Sequence, residues 1–228
     1  PVFGFWLGMT NDAAVENESY AAFGQATWNI NETSQLSLGL RYNHEDLSME
    51  QLVGFPALPY PNPGGFPVRP ESTPGYIAAS TTDEHVSWRI IGEKDIFEDM
   101  MLYASVSRGY KGPGANTLPT AINKPIVDAE IPTNYELGGK SEWWDGRMRL
   151  NASIFHTVFD DFQASLFNGG TPPQFFLDNA GKLTTEGLEV ELSSQLSENL
   201  YVAATLASID AVFDEYMGAS CYPRQTVA

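Results

Sequence analysis

The residues able to do acid–base or metal chemistry are few and scattered. The three histidines are His44, His85 and His156, and the single cysteine is Cys221. A metal centre needs imidazole, thiolate or carboxylate ligands that converge. His44 with Glu45 and Asp46 comes nearest to such a set, and it reads equally as a polar cluster where a strand ends. Asp160 with Asp161, and Asp214 with Glu215, offer the oxygen ligands calcium takes, or are solvated loop charges. Glu189 and Glu191 share one face of a strand, but paired carboxylates cleave a glycoside only across a substrate cleft. The sequence contains no G-x-S-x-G, Walker, H-E-x-x-H or C-x-x-C pattern. No nucleophile is set beside a base, so no catalytic, cofactor-binding or metal residue is assigned, no cofactor is expected, and ligand-binding residues stay unknown.

The elements that would position these residues narrow the class. The chain of 228 residues carries 12 Lys+Arg against 29 Asp+Glu, a formal net charge of −17. Too few cations are present to displace the counterions of a phosphate backbone, which argues against a nucleic-acid partner. No apolar run approaches the roughly 18 residues of a helical membrane span. The opening PVFGFWLGMT is apolar but lacks a basic flank and a cleavage-like site, so it is not a signal peptide. One cysteine excludes a disulfide framework within the chain, and Cys221, in the turn-rich ASCYPRQT, reads as a loop thiol whose partner lies beyond the last residue.

The dominant pattern is alternation with a period of two, the signature of strands with unlike faces. Leu36, Leu38, Leu40 and Tyr42 alternate with Gln35, Ser37, Gly39, Arg41 and Asn43. The same alternation places Leu102, Ala104 and Val106; Met148, Leu150, Ala152, Ile154 and Val158; Leu188, Val190 and Leu192; and Leu200, Val202, Ala204 and Leu206 on single faces. Weaker versions run over 20–30, 85–94 and 135–143. About eight strands result, several near the 9–11 residues that a tilted strand needs to cross a bilayer. Connections alternate in length: tight turns at 31–34, 97–99, 144–146 and 197–199, long segments at about 46–84, 111–134 and 168–183 and from 209 onward. In an up-and-down antiparallel sheet, all short turns then fall on one side and all long loops on the other. A structureless loop approaching forty residues is foreign to compact soluble domains, whereas outer-membrane barrels have this asymmetry. The longest loop, rich in Pro and Gly, excludes a central strand or helix. Its Phe55, Tyr60 and Phe66 fit a segment folded onto other loops as well as a linker.

Periodicity alone does not separate an apolar face turned to lipid from one turned to a core. Three features together decide for lipid: the long strands, the one-sided loops, and aromatic residues at strand ends, with Trp28, Trp143 and Trp144 beside short turns and Tyr42, Tyr110 and Tyr135 beside long loops, as in the two girdles of a barrel wall. Arg108, continuing the apolar set of Leu102, would then leave the hydrocarbon and meet lipid or lipopolysaccharide phosphates, or form a salt bridge at the rim.

LYASVSRGYKGPG (102–114) resembles the strand-and-loop signature of TonB-dependent outer-membrane receptors. Tyr135-Glu136-Leu137-Gly138 with Lys140 and Glu142-Trp143 is similar to the family's next strand, and Asp145-Gly146-Arg147 through Asp161-Phe162-Gln163 to its following hairpin. Asn179-Ala180-Gly181-Lys182 leading to Glu186-Gly187-Leu188-Glu189-Val190-Glu191-Leu192 completes the series, and the likeness covers about 19–214. The resemblance implies an outer-membrane protein of a Gram-negative bacterium, not an enzyme. It implies energised uptake of a scarce solute, such as a ferric siderophore, through a barrel of about 22 strands with an N-terminal plug that contacts TonB. Outer-membrane lipid and lipopolysaccharide are its implied surroundings. The whole chain, 1–228, is expected to be one partial barrel domain, all-β and antiparallel up-and-down, an open curved sheet in isolation, with plug and final strands outside it. Two readings compete: a surface or secreted β-sandwich that binds glycan or protein through its Pro/aromatic loop, and a passive porin-like or enzymatic barrel.

Overall fold

The computed structural model describes residues 10–54, 76–117, 124–168 and 174–216. They form twelve strands: β1 (Thr10–Asn31), β2 (Ser34–Gly54), β3 (Tyr76–Phe97), β4 (Met100–Arg108), β5 (Gly114–Ala115), β6 (Ile126–Val127), β7 (Ile131–Trp143), β8 (Met148–Asp160), β9 (Gln163–Asn168), β10 (Gln174–Asn179), β11 (Gly181–Ser197) and β12 (Leu200–Tyr216). Eight of these make one open sheet in the order β1-β2-β3-β4-β7-β8-β11-β12, each strand antiparallel to the next. The pairs β5–β6 and β9–β10 are small hairpins inside the β4–β7 and β8–β11 connections. No helix occurs among the described residues. The eight-stranded up-and-down sheet expected from alternation is present. Among the described residues no second large sheet packs on it, and the sandwich alternative loses its basis.

The four short turns lie at one end, because neighbouring turns are hydrogen-bonded to one another. Asp95 N donates to Thr33 O, Glu142 N to Asp99 O and Gln195 N to Arg147 O, each at 2.8 Å. In the β7–β8 turn Trp144, Asp145 and Gly146 all take positive φ (57°, 56° and 78°). Glycine bears that conformation at no steric cost and aspartate at little.

Register gives the tilt. Ser34, at the turn end of β2, is level with Lys94, Leu102, Gly139, Ala152 and Val190. Val190 stands seven residues before the end of β11 at Ser197. Five inter-strand steps of about 4.8 Å thus accompany a slip of about 23 Å, so the strands tilt by roughly 45° if the turns share one level. That is the tilt of a barrel wall.

The expected apolar set lies on one face. Cross-strand partners share a face, and Leu36, Leu137, Ile154 and Leu188 form one continuous row, as do Leu102, Val190 and Leu206 in the next. None of these is buried, and Leu40 and Leu206 are each 62% exposed. An apolar face of this extent in the open is a lipid surface rather than a soluble exterior. Trp28, Trp143 and Trp144 stand exposed by the turns, Tyr42 and Tyr135 farther up the wall. Tyr110 departs from the expected girdle: it is half-buried and stacks on His85 of the inner face.

Strand lengths need correcting. β1, β2 and β3 run 21 or 22 residues, about twice a bilayer crossing. Of the connection read as a loop over 46–84, residues 46–54 and 76–84 are sheet, with Asp46 opposite Thr82 and Leu52 opposite Tyr76. Likewise β7 begins at Ile131, β11 at Gly181, and β12 continues to Tyr216. The Pro-rich stretch with Phe55, Tyr60 and Phe66, and Cys221, lie outside the described residues. β4 stops at Arg108, level with Trp88, while β3 continues to Tyr76. The wall is therefore high at β1–β3 and low at β4 and β7.

Candidate functional site

At the end opposite the short turns, the two inserted hairpins gather over the inner face. The first connection enters through Gly109, whose N donates to Pro132 O, and through the paired backbones of Lys111 and Glu130. It leans on the raised wall: Asn11 Nδ2 and Gln51 Nε2 both donate to Thr117 O, at 2.6 and 2.9 Å. Tyr110 Oη donates to Glu45, which also accepts from Asn17 Nδ2 at 2.7 Å. Gly112 lies so close to Glu45 that a Cβ there would overlap the carboxylate. Contact of this kind buries the inward residues Leu47 (4% exposed) and Met49 (1%) of β2, and Val127 (0%) on the hairpin itself.

The second connection, carrying β9–β10, fastens to the first. Asn116, 3% exposed, donates to Lys124 O and Leu177 O and accepts from Leu177 N. Gln163, 8% exposed, donates to Gly112 O and Asp128 O, while its own N donates to Glu130. Asn179 donates to Asp128 O and Asp161 O and accepts from Asp128 N. The ion pair Lys124–Asp178 spans the same contact, and Lys111–Glu130 braces the first connection itself. Behind it, Phe159, Phe162, Phe213 and Tyr216 form an edge-to-face aromatic series near buried Leu183 and Ala180.

Farther down, the inner face is polar. Tyr103 donates to Glu136, Lys140 stands 5.8 Å from the Tyr103 ring, and Arg149 donates to Glu142 at 2.8 Å. Glu189 and Glu191 also point here, Glu191 accepting from Asn151 at 3.5 Å.

The residues singled out from sequence separate accordingly. His44 is on the outer face, 3.0 Å from Asp46 and 3.2 Å from Glu84, whereas Glu45 is on the inner one. The consecutive trio thus cannot converge on one ion, and among the described residues no group of three His, Cys, Asp or Glu is placed to hold a metal. His156 faces outward beside Glu186. Asp160 pairs with Lys182, and Asp214 accepts from Thr184 Oγ1. Arg108 faces outward in register with Trp88 and Thr133 and forms no ion pair among the described residues. Sequence reasoning did not single out Asn116, Gln163 and Asn179 as a set. Amides in loops carry no periodic signal, and their partners are backbone groups up to 61 residues away.

Comparison with known proteins decides the family. The family model described as TonB dependent receptor-like, beta-barrel matches residues 1–222. The chain belongs to that family. It is therefore a stretch of outer-membrane barrel, with its loops at one mouth. A pesticin receptor of Yersinia pestis is 30% identical over 176 residues, covering 76% of this chain and 23% of that protein. The ferric-pyoverdine M114 receptor PbuA of a Pseudomonas species is 29% identical over 139 residues, covering 57% and 16%. The chain thus spans about a quarter or less of the length of these relatives. Among solved structures, the ferric yersiniabactin uptake receptor FyuA of Yersinia pestis superposes with a TM-score of 0.72 at 21% identity, over 91% of this chain and 29% of that one. The siderophore receptor PiuA of Acinetobacter baumannii does so with a TM-score of 0.65 at 18% identity, over 94% and 28%. At those identities the structural likeness speaks for the fold.

Proposed function

We propose that this stretch is part of the barrel domain of a receptor for TonB-energised uptake of a scarce solute such as an iron–siderophore complex. The observation that carries the reading is the two-faced wall: an exposed apolar outer face, a polar inner face, and two inserted strand pairs gathered at one end of a family-matched sheet. Such a wall passes or holds a polar solute on its inner side while its outer side rests in lipid. Residues 1–228 then form one partial barrel domain, the rest of the barrel and a plug that contacts TonB being contributed by other parts of the receptor. Lipopolysaccharide surrounds the outer face at the level of Arg108. Transport rather than catalysis is the activity, in keeping with the receptor names of the relatives. The test is growth and radiolabelled iron uptake by a strain lacking the receptor gene, fed single purified siderophores under iron limitation. Restoration by the intact gene for one siderophore, lost in a strain without TonB, supports the proposal. Uptake that is unchanged without TonB for every siderophore tried would refute it.

A further inference from the structure

The two mouth hairpins are held together across a shared junction. Their junction is built from side-chain amides that bond to the backbone of the opposite loop, as a neighbouring strand would. Asn116 makes a two-way bond with Leu177, donating at 2.7 Å and accepting at 2.7 Å. Asn179 does the same with Asp128, at 2.9 Å each way. Gln163 spans the first loop, reaching both Gly112 O and Asp128 O. Asn116 and Gln163 are buried, so parting the loops would strip these amides and their backbone partners of hydrogen bonds in a place water reaches poorly. The first loop is itself fixed to the raised wall through Thr117 O.

We infer that Asn116, Gln163 and Asn179 are positioning residues that fuse the two hairpins into one rigid body, anchored on the raised β1–β3 wall, so that the mouth is shaped by a single preformed arch. The loops then open together or not at all. Hydrogen exchange on the intact receptor in detergent micelles tests this without any ligand, so the outcome does not depend on what the receptor transports. The reporters are amides held across the junction: Gln163 N on Glu130, Asp128 N on Asn179, and Leu177 N on Asn116. In Asn116→Ala, exchange at Gln163 and Asp128 should rise at least tenfold and by a common factor, although neither touches residue 116. The reciprocal variant Gln163→Ala should raise Leu177 in the same way. Amides of the wall, such as Leu38 and Val190, should stay unchanged in both and report that the barrel is folded. A rise confined to the immediate partners of the substituted residue would overturn the inference. Should Asn116→Ala fail to fold, the Gln163→Ala and Asn179→Ala pair carries the same test.

Discussion

Placing an arginine at Leu38 measures directly whether the apolar face meets hydrocarbon. Leu38 faces outward between Ala26 and Ile90 and is 47% exposed. The band it belongs to runs on β2 from Ser34 at the turns to His44, the first outward ionisable residue beyond Tyr42. Ten residue steps of about 3.3 Å, tilted by roughly 45°, give a band about 23 Å tall, close to the 25 Å or so of an outer-membrane barrel. Leu38 then lies within about 3 Å of the midplane. A lipid-facing arginine at that depth costs about 2–4 kcal/mol, a factor of roughly 30 to 700 in the folding equilibrium. The same charge at Tyr42, near the upper margin, should cost about 0–1 kcal/mol. An arginine at Ser105, on the inner face beside Glu136, should cost no more than that. The assay is equilibrium folding of the intact barrel into lipid vesicles in urea, comparing the three variants. Equal costs at positions 38, 42 and 105, or a larger cost at 105, would refute the assignment of faces and the tilt on which the depth rests.

Two further outcomes follow from inner-face packing. A Cβ at Gly138 would meet the Tyr103 ring at 2.5 Å, so Gly138→Ala must displace the ring and its bond to Glu136, whereas Gly24 has nothing within 4 Å. Urea unfolding should show a loss of about 1–3 kcal/mol for Gly138→Ala and little change for Gly24→Ala; equal effects would contradict the packing. At the mouth, burial and the carboxylates of Asp83 and Glu45 push the Tyr110 hydroxyl well above its ordinary range. A raised folded pKa gives stability that is present below the unfolded value near 10 and lost as pH rises beyond it. Alkaline loosening of the mouth, read by amide exchange at Lys111 and Glu130, should therefore be relieved in Tyr110→Phe.

The sheet was legible in sequence because lipid on one side and polar surroundings on the other force a period of two across the bilayer. Leu36 to Tyr42 and Leu188 to Leu192 announce their strands unaided. The mouth was not legible. Its order depends on Asn116, Gln163 and Asn179, whose partners are main-chain groups that no residue type advertises. The set His44, Glu45 and Asp46, to which the sequence assigns no metal, is divided for a physical reason: consecutive residues on a strand point to opposite faces, and adjacency in sequence is separation in space.

The underestimated strands have a physical signature of their own. On β2 the apolar residues occupy even positions up to Tyr42 and then odd positions at Leu47 and Met49, before Leu52 near the end of the strand. On β11 the buried Leu183 is odd while Leu188, Val190 and Leu192 are even. The pleat does not change, but its surroundings do. Past the bilayer the outward side meets water and the inward side meets a folded hairpin, so the preference inverts without any turn. An inversion of phase thus marks the membrane boundary, not the end of the strand. The boundary can be traced by register: from the middle of the band toward the mouth, the first outward ionisable residues are His44 and Glu84 on β2 and β3, Arg108 on β4, and His156 and Glu186 on β8 and β11. Arg108 is level with Leu40, four residues below His44 on β2, and Glu186 and His156 are level with Leu38, six residues below it. From β2 to β11 the turn end slips by seven residues. Both margins of the band therefore descend together, as they must if a layer of constant thickness crosses a uniformly tilted wall. A soluble sheet has no reason to keep two such margins parallel.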